Sequence, residues 1–135
     1  MSIEVRGLLT LLQVFDMPTS VRFYRDVLGF EIIQTTTPRE GDQFDWGLLR
    51  LGDTELMLNT AHELDERPAA PDPARMAAHR DTHLYFGCPD VDGAYQHLRA
   101  HGIDAEEPQI APWGSKQCYL RDPDGYTLCF QWRAE

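Results

Sequence analysis

Side chains capable of chemistry are common in this chain, but local motifs are few. Cys88, Cys118 and Cys129 form no C-x-x-C pair, and an odd count at scattered spacing predicts reduced thiols rather than a disulfide framework. No G-x-G-x-x-G or Walker A loop is present to cradle phosphates. Ser20 and Ser115 lack the setting of a nucleophile elbow. His62, His79, His97 and His101 fall in linker or helical stretches and are predicted to face solvent. What remains is binding chemistry. Phe44, Trp46, Trp113, Tyr119, Phe130 and Trp132 interleave with Gln13, Asn59, Lys116, Gln117 and Gln131. Aromatic walls with a few amide and ammonium groups suit a planar or amphipathic organic molecule, and the same aromatics would equally serve plain core or interface packing.

The elements that must position these groups come as a repeat. LLTLLQVFDMPTSVRFYRDVLGFEII, residues 8–33, sets an apolar strand before Asp16, then an amphipathic helix, Gly29 and a second strand. DTHLYFGCPDVDGAYQHLRAHGIDA, residues 81–105, repeats that order with Asp90 and Gly102. The Asp-to-Gly spacing is 13 residues in the first and 12 in the second. Each Asp is a helix N-cap by type, and each Gly suits the left-handed residue that ends a helix. The predicted core stripes are Val21, Tyr24 and Leu28 with Val27, and Val91, Ala94, Tyr95 and Leu98. Gly93 is a weak point inside the second helix.

Three strand-like runs follow each helix. They are Phe30–Thr36, Phe44–Leu51 and Glu55–Thr60 in the first half, and Ile103–Glu107, Lys116–Arg121 and Tyr126–Trp132 in the second. Residues 61–80, rich in Pro and Ala, read as a linker with a helical turn near Ala74–Ala78. The expected organisation is one α+β domain spanning 1–135, with βαβββ modules at 1–60 and 81–135. Pairing two such modules would curl their sheets into a cup with helices outside. Strand alternation points Leu8, Thr10, Leu12 and Val14 towards the helix, and Leu9, Leu11 and Gln13 into the cup.

Composition narrows the partners. With 22 acidic against 12 basic residues the net charge is −10, which disfavours nucleic acid and anionic membranes. No run approaches the length of a transmembrane helix, and the start, MSIEVRGLL, lacks the pattern of a signal peptide. The expectation is a cytoplasmic protein.

The repeat, with FYRDVLGFE and RDPDGYTLCFQ, resembles the vicinal oxygen chelate superfamily, which includes glyoxalase I, extradiol dioxygenases and the fosfomycin- and bleomycin-resistance proteins. In its metal-using members each module lends two inward ligands, one from its first strand and one from its last. The resemblance places the first-strand ligand seven residues before the cap Asp, at Leu9 and His83. It places the last-strand ligands at Glu55, with a two-residue shift left open, and at Cys129. An aliphatic chain and a thiol then replace two expected donors. The resemblance is therefore closest to the metal-independent, bleomycin-resistance-like members.

That resemblance implies a protein that binds a small organic molecule in the cup without a cofactor. Gln13, Trp46, Met57, Asn59, His83, Tyr85, Trp113, Lys116 and Gln131 are the candidate contacts. A homodimer is the expected assembly, and the negative charge would favour a cationic ligand. Whether turnover occurs stays open, with Glu55 and His83 as a candidate general-base pair. Two alternatives stand beside it. One is a lyase, isomerase or dioxygenase holding one divalent metal ion (Zn, Ni, Fe or Mn) through Glu55, His83 and Cys129, since three protein ligands plus water is a catalytic zinc pattern. The other is a non-catalytic dimerising module.

Overall fold

A computed structural model describes all of residues 1–135, in two compact units, Met1–Arg67 and Pro68–Glu135. In the first unit, strand β1 (Thr10–Val14) leads into helix α1 (Met17–Val21), which continues as a π-helical stretch over Arg22–Val27. Strands β2 (Glu31–Thr35), β3 (Trp46–Leu51) and β4 (Thr54–Thr60) follow, and the sheet order is β1-β4-β3-β2. The second unit begins with helix α2 (Pro73–Ala78), then runs β5 (His83–Gly87), α3 (Val91–Ala100), β6 (Gln109–Ile110), β7 (Ser115–Arg121) and β8 (Thr127–Arg133). Its sheet order is β5-β8-β7-β6. In both sheets the first strand pairs parallel with the last, and the other pairs are antiparallel. The fold is α+β with two repeated modules, as the sequence predicts. None of its helices is long and apolar enough to cross a membrane.

Both caps form as their residue types dictate. The Asp16 carboxylate accepts the Thr19 N–H at 3.2 Å, and Asp90 accepts the Gly93 N–H at 2.9 Å. Burial works against the Asp16 charge, but hydrogen bonds from Thr19 and Arg67 outweigh it and hold the carboxyl below its ordinary range. Gly93 has a reason to be glycine, since a Cβ there would collide with the Asp90 carboxylate. The first helix departs from expectation. The Leu28 N–H reaches back to the Phe23 carbonyl, five residues away, and the widened turn buries both Phe23 and Tyr24. Leu28, predicted on the core stripe, is only half-buried.

Each core lies between helix and sheet. In the first unit Leu12, Val14, Leu49 and Leu58 meet Val21 and Tyr24. In the second, Leu120, Leu128 and Phe130 are buried with Val91 and Leu98, and Phe86 stacks on Phe130 at 5.2 Å. A strand expected at Ile103–Glu107 forms instead at Gln109–Ile110. Ile103 and Ala105 spend their N–H groups on local turns, and Glu106 donates to β7, through the Tyr119 carbonyl at 2.8 Å.

The stretch expected to be a linker is partly structural. Asp122 accepts the N–H groups of Asp124 and Tyr126, each at 2.9 Å, which shapes the DPDGY turn. His79, expected in solvent, lies half-buried with its ring stacked on Tyr126 at 4.1 Å and Nδ1 2.7 Å from the Asp124 carbonyl. His62, likewise expected in solvent, is half-buried edge-on to Phe15. Gly125 has φ of +88°, and a Cβ there would sit 2.5 Å from the Met76 carbonyl oxygen of α2. Gly125→Ala must therefore pay for both a left-handed backbone and a backbone clash. The expected loss is about 2–4 kcal/mol, read as a fall in the urea midpoint at unchanged slope. A loss below about 1 kcal/mol would show that the turn moves off α2 freely.

Candidate functional site

Each sheet turns one face to its helix and leaves the other open. On the first unit's open face the cross-strand rows are Leu11–Met57–Leu48 and Gln13–Asn59–Trp46. Asn59 Nδ2 donates to Gln13 Oε1 at 3.2 Å, and Leu9 and Leu11 remain 43% and 41% exposed. Gln13, Trp46, Met57 and Asn59 are thus brought together on one surface. Glu55 shares it, with its carboxylate 3.3 Å from the Arg50 guanidinium.

The second unit's open face is polar throughout. Its rows are His83–Thr127–Arg121, then Tyr85–Cys129–Tyr119, then Gly87–Gln131–Gln117. Hydrogen bonds tie these rows into a chain. His83 Nδ1 lies 3.2 Å from the Tyr85 hydroxyl, which lies 3.1 Å from that of Tyr119. The Tyr119 hydroxyl donates to Gln117 Oε1 at 3.3 Å, and Gln117 Nε2 donates to Gln131 Oε1 at 3.0 Å. The hydrogen bond with Tyr85, together with burial, holds the Tyr119 phenol well above the usual tyrosine range, so it stays a neutral donor. Burial likewise pushes the Cys129 thiol up to about 11, against a smaller pull from Tyr119.

Two other candidates are placed elsewhere. Lys116 points to the helix side, because its row is that of Trp132 rather than Gln117, and its ammonium bonds Asp92 of α3 at 2.6 Å. Trp113 stands in the turn before β7, 70% exposed and apart from the polar chain. Phe44, one of the aromatics suited by type to wall a binding site, is buried in the core. Thr127 and Arg121 escaped the sequence reading, although each follows from alternation, two residues from Cys129 and Tyr119 respectively. Arg80, which borders this face, carries no such signal. An open cleft of about 540 Å³ at the His83 end joins Arg80, Thr127 and Arg121.

Comparison with known proteins matches residues 8–130 to the Glyoxalase/Bleomycin resistance protein/Dioxygenase superfamily. The chain belongs to that superfamily. It is 29% identical to the Escherichia coli protein YaeR over 114 residues, 84% of each chain. It is 26% identical to the lactoylglutathione lyase of Haemophilus influenzae, covering 90% of this chain and 87% of that one. Among solved structures, TnmS3, an antibiotic binding protein from Streptomyces, superposes with a TM-score of 0.68 at 21% identity, covering 99% of each chain.

The superfamily implies a divalent metal in many members, and the donors here can be tested against one. Register removes the two-residue ambiguity of β4. Leu11 and Tyr85 both stand five residues before their cap Asp, and they pair with Met57 and Cys129. Met57, not Glu55, is therefore the counterpart of Cys129, and Glu55 corresponds to Thr127. With that register, the positions to which the resemblance assigns ligands carry Leu9, Met57, His83 and Cys129: an aliphatic chain, a thioether, an imidazole bonded to Tyr85, and a buried thiol. Nowhere are three His, Cys, Asp or Glu side chains arranged to hold a metal ion. This set does not fit a hard octahedral ion. Within their own units, Glu55 meets Arg50 and His83 meets Tyr85.

Thiol chemistry checks this environment. Cys118 and Cys129 are buried and Cys88 is partly exposed. Iodoacetamide at mildly alkaline pH should modify Cys88 alone in the native protein and all three in urea, as read by peptide mass spectrometry. Both buried thiols shift from 9.0 to about 11 on folding. The stability this confers is complete below pH 9 and is lost as pH rises towards 11. Wild type should lose stability faster across that window than the Cys118→Ala, Cys129→Ala double variant.

Proposed function

We propose that this protein binds a small organic molecule on the open face of its second unit, without a metal ion. The observation that carries the reading is the continuous chain His83–Tyr85–Tyr119–Gln117–Gln131 lying across that face. Rows two residues apart along a strand are separated by about 7 Å, so the three rows span about 13 Å. That length suits a compact molecule of two or three rings. Tyr85 is 48% exposed and stands nearly perpendicular to Tyr119, with ring centroids 6.1 Å apart. Together they offer a corner in which a flat ring packs against one phenol and meets the edge of the other. Beyond it Gln117 and Gln131 have amide groups to bond polar substituents. TnmS3, which shares this fold, is an antibiotic binding protein, and that supports the reading at the level of fold.

The name of the Haemophilus influenzae relative favours a second reading, a lyase acting on a glutathione conjugate. Metal dependence separates the two. Protein stripped with EDTA and titrated against aromatic antibiotics and diketones should show saturable quenching of its tyrosine and tryptophan fluorescence. Tyr85→Ala should weaken that binding about tenfold, equal to about 1.4 kcal/mol. Zn²⁺, Ni²⁺, Fe²⁺ and Mn²⁺ should leave the melting temperature unchanged. A metal-induced rise that Cys129→Ser removes would overturn the metal-free reading.

A further inference from the structure

The cleft at the His83 end carries charge that nothing in the protein neutralises. Of the groups lining it, Arg80 and Arg121 have no carboxylate within 4 Å, and neither Asp81 nor Glu106 has a cationic partner. Asp104 also lines the cleft, but its charge is committed to Arg99 at 3.2 Å. Two unpaired guanidiniums and two unpaired carboxylates thus border one hollow of about 540 Å³.

The hollow is held in place from below. The Thr127 hydroxyl donates to the Arg80 carbonyl at 2.8 Å, and the stacking of His79 on Tyr126 anchors the preceding residue. On the other side Arg121 is fixed by the β7–β8 pairing, opposite Thr127. Arg80 and Asp81 approach from the segment before β5. Glu106 approaches from the far edge of β7, through its N–H bond to Tyr119.

We infer that this cleft is a subsite for a zwitterion: a carboxylate taken by Arg80 and Arg121, and an ammonium taken by Asp81 and Glu106. A purely anionic ligand would meet the two free carboxylates and a molecule of net charge −10. A purely cationic one would meet two free arginines at close range. A neutral ligand bearing both charges satisfies all four groups and enters without a long-range penalty. Tyr119 lines the cleft, and its hydroxyl meets that of Tyr85 at 3.1 Å, so the matching class is an aromatic α-amino acid or a small molecule with such a head group. This rests on the binding reading above, and it adds the charge character of the ligand.

The test uses L-phenylalanine, its N-acetyl derivative (anion only) and its amide (cation only), titrated into metal-stripped, ¹⁵N-labelled protein. Phenylalanine should shift the amide resonances of residues 80–85, 106, 119–121 and 127 saturably, and each blocked derivative should bind at least fivefold more weakly. Arg121→Gln and Glu106→Gln should each weaken phenylalanine at least fivefold, with the remaining spectrum unchanged. Equal or tighter binding of either blocked derivative would overturn the zwitterion assignment, as would phenylalanine shifts confined to other residues. Should the aromatic library bind through Tyr85 while phenylalanine moves nothing, only this inference falls; silence from both would remove the binding reading as well.

Discussion

Two phenol hydroxyls meeting 3.1 Å apart beside a buried thiol decide the character of the second open face. β8 is a central strand, and Thr127 to Phe130 are all buried on one side or the other. Tyr85 and Tyr119 flank Cys129 from the neighbouring strands, on the same face. Their rings converge above it because cysteine is short. A longer side chain at 129 would stand between them and take their hydrogen bonds for itself. With the thiol there, the phenols bond each other, and the chain extends to His83 on one side and to Gln117 and Gln131 on the other. The position to which the resemblance assigns a metal donor is here the point across which hydrogen-bonding groups are linked.

The two units carry this contrast on the same scaffold. Both retain a cap Asp, a helix-side row of Leu and aromatic residues, and a parallel pair between first and last strands. Their helix faces are governed by burial and so resemble one another. The open faces are not so governed, and they diverge. The first has an aliphatic row, Leu11–Met57–Leu48, between the amide pair Gln13–Asn59 and the ion pair Glu55–Arg50. The second is polar in every row. Alternation gives each strand two independent surfaces, one committed to stability and one available for recognition.

That division also explains what the sequence reveals and what it hides. The repeat, the caps, the strand directions and the placement of Gln13, His83, Tyr85 and Gln131 on the sheet faces away from the helices are legible, because periodicity and local residue type determine them. Phase along a strand is another matter. Glu55 and Met57 share a face, so alternation cannot choose between them, and only the pairing Leu11↔Met57 does so. Lys116 fails for a related reason. Chemistry groups it with Gln117, yet neighbours in a strand point to opposite faces. The π-helical turn at Arg22–Val27 leaves no mark that propensity can read, and the role of His79 depends on a partner, Tyr126, 47 positions away.

Electrostatics makes the thiol at 129 more than a missing ligand. The residue has no exposed surface. A carboxylate there would lose its hydration, at a cost of several kcal/mol unless a cation lay against it. Its nearest cross-strand neighbours are the neutral phenols Tyr85 and Tyr119, and the first guanidinium in the row beyond, Arg121, opens onto the cleft instead. Without a metal ion a carboxyl at this position would remain protonated or would destabilise the sheet. A thiol avoids that penalty, since burial merely keeps it protonated, and a neutral thiol packs as a small apolar group. Cys129 is therefore the consistent neighbour of the phenols and amides on this face, whose charges gather at one end.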